Sequence, residues 1–369
     1  MSILDSMDAE EGYSPGPGRR RPRWFGLLVV LFVLMLVLGG AILGLGALLD
    51  SGGSSAPDYS GNGEGETTVT VASGATSAEI GRALVDAKVI KSVQAFTSVA
   101  AADDRSRGIQ PGYYQLHQHM SAQSALDLMV DPVSRVGAVA IPEGMTTAKV
   151  LVKISEEAKI PLADLQAAAA HPDEIGVPAY SRTGTEGYLF PATYDIAPGT
   201  SAVDALKMMT AQFKAAAAGL DLEHRAAAMG YRPDQIVTIA SIIEGESGRP
   251  DDRAKIARVI YNRLEHASSW PHLDMDSTTC YAIGGCNGPL TESQIQSDSP
   301  YNTRKVSGLP PGPINNPGEA ALSAALDPEP GPWYYFVTLK DQTVFSVTQA
   351  EHDRAVQQYN QENNQGNPG

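Results

Sequence analysis

Basic side chains are scarce in this chain of 369 residues: 27 lysines and arginines stand against 42 aspartates and glutamates, a formal net charge of −15. Nothing resembles a basic patch set up to neutralise phosphates, which argues against a nucleic-acid partner. Cysteine is scarcer still, with only Cys280 and Cys286. Two cannot build a structural zinc site, and His117 and His119, which could share one face of a strand, have no evident third ligand, so no metal is expected. No organic cofactor is implied either, since no nucleotide-binding loop lies near the "DMD" of residues 274–276. The elbow of serine hydrolases fails as well, because "GESG" runs on into Arg249 and Ser247 ends a helix rather than a strand.

Charge is missing altogether from residues 24–49. That run exceeds the roughly 20 apolar residues that cross a bilayer as a helix, and it is longer than the core of about 7–15 residues in a cleavable signal peptide. A transmembrane helix is therefore expected at 24–49. Arg19, Arg20, Arg21 and Arg23 precede it and Asp50 follows, so the positive-inside rule makes residues 1–23 a disordered cytoplasmic tail. Nearly everything after residue 50 then lies outside the cell membrane, beginning with a Gly/Ser-rich flexible linker at 50–66.

What remains reads as an α+β protein. In "TTVTVASGATSAEIGRALVDAKVI" an alternation with Val69 and Val71 on one face changes to helical spacing at Ile80, Leu84 and Val85. "GYYQLHQHMSAQSALDLMV" repeats the theme, a strand and then a helix carrying Leu126, Leu128 and Met129. Units this short need each other to bury their apolar faces, which predicts a small α+β subdomain over 67–135. A larger mixed α/β domain follows over 136–360, closing with a hairpin that turns around Lys340 and Asp341. A capping box of Thr348 and Glu351 then starts the last helix. Residues 361–369 read as a frayed tail.

The segment "RPDQIVTIASIIEGESGRP" is the most informative. Pro233 and Asp234 suit a helix start, and Gly248 with Pro250 suits its end. On that helix Val237, Ala240 and Ser241 precede Glu244 by seven, four and three positions and share its stripe. Glu246 points to the other side, so the two glutamates cannot face each other as a glycosidase pair. A lone carboxyl in partly apolar surroundings can stay protonated near neutral pH and act as a general acid, which makes Glu244 the candidate. Taken alone, a glutamate there is more often partly solvated or paired with an arginine, here Arg249 or Arg253.

"EGYLFPATY", "IASIIEGESG", "IARVIYNRL", "LDMDSTTCYA" and "YNTRKVSGLPPGPINNPGEAAL" follow one another in an order that resembles the motif series of the YceG-like endolytic murein transglycosylases. The resemblance covers most of residues 67–360. It implies a membrane-anchored protein with a small LysM-like subdomain and a catalytic domain that cleaves the bond between N-acetylmuramic acid and N-acetylglucosamine within nascent peptidoglycan strands. It also implies glycan polymerases as partners and puts the catalytic glutamate on Glu244, acting as acid and then base to leave 1,6-anhydro ends. Asp276 and Thr278 match the family's Asp-Pro-Thr element, although Ser277 replaces the proline and Asp274 the preceding glutamine. Thr343 stands where relatives often carry histidine. Glu246, Asp276, Thr278, Tyr301, Asn302 and Thr303 are the candidate glycan contacts, the last three beside a stiff Pro/Gly-rich loop that either lines a sugar cleft or simply closes the domain. Glu186 supports either the site or the fold. Cys280 and Cys286 are left open by the sequence, and the oxidising compartment favours a local disulfide. A non-catalytic glycan-binding scaffold of the same fold is the alternative, and a hydrolase leaving reducing ends is a third reading.

Overall fold

The computed structural model describes residues 56–365. The expected membrane span at 24–49 lies outside them, and no described helix is long and apolar enough to cross a membrane.

The small part contains β1 (Asn62–Val71), α1 (Ser77–Asp86), α2 (Val93–Ala102), β2 (Gly112–Met120), α3 (Ala122–Met129) and β3 (Arg135–Val136). Its sheet is antiparallel in the order β1-β2-β3. Val69, Val71, Tyr114 and Leu116 point inward, as the alternation requires, and meet Ile80, Leu84, Phe96 and Leu126 from the helices. A reciprocal pair of bonds between Thr76 and Glu79 fixes the start of α1. Two expectations need correction. The linker ends earlier than residue 66, because "NGEGE" pairs with the far end of β2, Asn62 opposite Met120 and Glu64 opposite Gln118, before a bulge restores the register at Thr67. And α2, whose start Ser92 caps by accepting from the Ala95 N–H, was not in the expected pattern.

Gly137 joins this sheet to the next. It follows β3 directly and precedes β4 (Ala138–Ala140), which pairs instead with β5 (Thr193–Asp195). Its φ is +74° and its carbonyl accepts the Ile196 N–H at 2.7 Å, so close that a Cβ would overlap the Ile196 carbonyl oxygen. Beside it Arg135 is paired with Asp195.

The larger part is mainly helical: α4 (Thr147–Ala158), α5 (Leu162–Ala169), α6 (Ala202–Gly219), α7 (Leu222–Ala228), α8 (Pro233–Glu246), α9 (Arg253–Glu265), α10 (Asp276–Ala282), α11 (Glu292–Ile295), α12 (Glu319–Leu326) and α13 (Gln349–Gln365), with a β6 (Tyr335–Thr338) and β7 (Thr343–Ser346) hairpin. Its core is separate from that of the small part and runs from Val139 to Leu326. At its centre, α8 starts with Pro233 at the first helical position. From Ile236 to Ile243 every residue of α8 is at most 3% exposed. A helix without a solvent face must be surrounded, and α7, α9, α10 and α12 pack around it. The Leu339 N–H closes the hairpin on Gln342, with Lys340 and Asp341 at the tip. Thr348 and Glu351 cap α13 reciprocally. This helix continues to Gln365, so residues 361–365 are not part of a tail.

Substituting Gly137 by alanine forces a side chain onto the Ile196 carbonyl at a left-handed backbone position. We expect Gly137→Ala to lose at least about 2 kcal/mol, measured as a shift in urea midpoint at unchanged slope.

Candidate active site

Glu244 lies on the last turn of α8, where the helix emerges from the core. Val237, Ala240 and Ser241, its stripe neighbours, are fully buried, and the Glu244 side chain is 8% exposed. Three backbone segments meet it. Gly318, the N-cap of α12, donates its N–H to Glu244 Oε2 at 3.2 Å, which places the carboxylate at the positive end of that helix. Arg253, at the start of α9, donates from Nη2 to Glu244 Oε1 at 3.3 Å. Gly144, at φ +76° in the turn between β4 and α4, lies against the Glu244 side chain, where a Cβ would sit 3.6 Å from Cγ. The isolated carboxyl expected from the helix pattern is therefore an ion-paired one, and of the two arginines Arg253 is the partner. Arg249 turns away and donates to the Lys340 carbonyl.

The Pro/Gly-rich loop holds this arrangement. Ile314 N–H donates to Ser241 Oγ, and Asn315 Nδ2 to the Ser241 carbonyl at 2.8 Å. Asn316 accepts from the Leu189 N–H at 2.8 Å, donates to the Met145 carbonyl, and receives the Gly144 N–H on its own carbonyl. The loop thus joins the "EGYLFP", "IPEGM" and "IASIIEG" segments, and Ser241 is the polar member of the stripe because it anchors the loop. One acceptor there is left over: Asn315 Oδ1 is buried without a partner.

Glu246 points the other way, as its position in the helix predicts. Its Oε1 accepts both the backbone N–H of Ser277 at 2.9 Å and Ser277 Oγ at 2.7 Å. It thereby caps α10, which has no side-chain cap of its own. The serine that departs from the family's proline supplies a backbone donor that proline lacks. Gly245 permits the approach, since a Cβ there would stand 2.8 Å from that of Ser277.

The remaining candidate contacts divide. Thr278, Asn302 and Thr303 are fully buried, and their polar groups are used internally. Thr303 Oγ1 bonds Thr278 Oγ1 and accepts the Met275 N–H, while Asn302 Nδ2 donates to the Ile295 and Ser297 carbonyls and its Oδ1 accepts from Thr279. These three fix α10 and its neighbouring loop; burial leaves them no face for a sugar, which corrects the expected contact. Asp276 stays at the surface, bonded to Arg304, and Tyr301 is half-buried against Tyr281, ring centroids 4.9 Å apart. Cys280 and Cys286 are joined by a disulfide at the end of α10. Thr343 donates to Asp252. Of the two strand histidines, His117 bonds the Gly65 carbonyl and His119 packs on Tyr59, so each has a partner of its own.

Glu186 accepts from both the N–H and the hydroxyl of Thr147, at the start of α4, and from the Tyr281 hydroxyl. Two neighbours of Glu244 were missed by the sequence reading: Gly318, and Glu143, whose Oε2 lies 3.5 Å from the same Arg253 Nη2. A glutamate in a Pro-Glu-Gly turn carries no periodicity to mark it. Cavity size does not single out this site: a cleft of about 550 Å³ lined by Lys159, His171, Glu174 and Ser201 lies among α4, α5 and α6. The assignment rests on the charged groups.

Burial pushes the carboxyls of Glu186 and Glu246 above their ordinary 4.5, outweighing the hydrogen bonds each accepts. Both bind a proton more readily folded than unfolded, so the stability this supplies is complete below about pH 4.5 and is lost as pH rises through the folded values. Glu186→Gln removes one such group. Its melting temperature should rise relative to wild type as pH increases from about 4.5 to about 8; a constant difference would contradict this.

The YceG-like family model matches residues 69–358. An endolytic murein transglycosylase of Bacillus subtilis (strain 168) is 30% identical over 341 residues, 88% of this chain and 91% of that protein. One of Streptococcus pneumoniae (strain R6) is 28% identical over 90% of this chain and 65% of its own length. A solved structure of a YceG-like protein from Listeria monocytogenes superposes with a TM-score of 0.55 at 29% identity, covering 78% of this chain and 98% of that one. With its motifs in order and the family model matching most of its length, this chain belongs to the YceG-like family.

Proposed function

We propose that this protein is an endolytic peptidoglycan lytic transglycosylase in which Glu244 is acid and then base. The observation that carries the reading is the placement of Glu244: a carboxyl just past the fully buried stretch of α8, touched by one guanidinium and one backbone N–H. The names of the curated relatives support the reaction class. Protonated Glu244 gives its proton to the oxygen between N-acetylmuramic acid and N-acetylglucosamine as the bond to muramic C1 breaks. The muramic C6 hydroxyl then bonds to C1 and passes its proton to the Glu244 carboxylate. The glycan ends in a 1,6-anhydro sugar, no water is consumed, and no nucleophilic carboxylate is required.

Asp276, Tyr301 and Glu246 are the glycan contacts in this reading. The small part would act as a LysM-like glycan-binding module, a reading supported by its own core and its sheet. Anchoring by residues 24–49, with the amino terminus cytoplasmic and the catalytic part outside, would keep the enzyme close to nascent strands and the polymerases that make them. A second reading draws on Glu143: a further carboxylate at the site suits a hydrolase that activates water.

The test uses the full-length chain, wild type and Glu244→Gln, with uncrosslinked glycan strands and mass spectrometry of the products. Shorter strands with 1,6-anhydromuramic ends are expected from wild type, and at least about 100-fold less from the variant. Reducing ends would mean a hydrolase; strand binding without cleavage by wild type would mean a scaffold.

A further inference from the structure

The contacts of Arg253 are unusual for a guanidinium that is only 15% exposed. One nitrogen, Nη2, serves two carboxylates, Glu244 at 3.3 Å and Glu143 at 3.5 Å. Neither distance is that of a close charge-assisted bond, about 2.7–2.9 Å. Arg253 Nε is buried with no partner at all. The cation is therefore shared and fully claimed by neither acid.

The two acids are not equivalent. Glu244 is 8% exposed and Glu143 is 47% exposed, so transfer of the cation to Glu143 moves charge toward solvent. Gly318 allows Glu143 to lie there, because any Cβ at that position would overlap the Glu143 carboxylate. The same residue's N–H holds Glu244. Both carboxylates thus converge on one helix start and one arginine.

We propose that Glu143 is a positioning residue of this site: it competes with Glu244 for Arg253 and governs how firmly the arginine holds the Glu244 carboxylate. When Arg253 moves toward Glu143, Glu244 loses its cationic partner and keeps the Gly318 N–H and its apolar stripe. Other charges near the end of α8 are engaged elsewhere or exposed. Glu246 is bonded to Ser277 and Asp276 to Arg304, while Glu319, next to Gly318 on α12, is exposed. The catalytic consequence rests on the proposed role of Glu244, whereas the competition for Arg253 does not.

The experiment separates the two. Full-length wild type, Glu143→Gln and Glu143→Asp are treated with a water-soluble carbodiimide and an amine across a pH series. Carbodiimide captures protonated carboxyls, and peptide mass spectrometry reads the labelled fraction at Glu244. With Glu143 neutralised, Arg253 stays on Glu244 and a like charge is lost. Both effects favour the carboxylate, so half-labelling of Glu244 should move down by about half to one pH unit. Glu143→Asp should restore it toward wild type, and the alkaline limb of the cleavage rate should follow the same order. An unchanged Glu244 profile in Glu143→Gln would overturn the proposal. So would an equal shift in Glu143→Asp, or a matching shift at Glu186, since either points to general loosening. If wild type cleaves no glycan, the enzymatic reading fails while the labelling still decides this one.

Discussion

The larger core is arranged around a helix that has no solvent face. From Ile236 to Ile243, α8 is packed on every side, and past that stretch, at its last turn, the chain reaches the surface and carries Glu244 and Glu246. A helix buried this way satisfies its own backbone internally except at its ends, so the carboxyl end is where other segments can gather. The β4–α4 turn, the start of α9 and the start of α12 gather there. Glu244 is presented by the same burial that stabilises the domain, and the site inherits the rigidity of the core.

That dependence explains which parts of the site were legible in the sequence. Glu244 could be placed because positions three, four and seven apart on one helix share a face whatever else the chain does, and Glu246 was turned away by the same rule. The Thr348–Glu351 cap and the Lys340–Asp341 turn were legible because they too are local. Glu143 and Gly318 were not, since they reach Glu244 from 101 and 74 positions away in sequence, through loops that have no period. Thr278, Asn302 and Thr303 failed for a different reason. A cluster of hydroxyls and amides has the same composition whether it binds sugar or satisfies its own loop, and only burial distinguishes the two. The start of β1 was hidden because "NGEGE" has the composition of a linker but finds an unpaired length of β2 beside it.

Polar groups at this site are used for geometry as much as for chemistry. Ser241 ties the loop to α8, Asn316 ties it to two further segments, and Glu246 with Ser277 ties α10 to the end of α8. Each bond contributes about 1 kcal/mol net, yet together they determine where three independent chain segments stop relative to one carboxyl. The exchange of the family's proline for Ser277 fits this view: it adds a donor where an acid from another helix was available to accept it.

The seam at Gly137 has a consequence for how the chain is made. Every core residue of the small part precedes Gly137, and the core of the larger part begins at Val139. Synthesis proceeds from the amino end, so the first sheet, including β3, is complete in sequence before any of the second core has been translated. The apolar core of the small part is complete while the helix that carries Glu244 is still to be synthesised, and the Arg135–Asp195 pair is added as the later chain arrives.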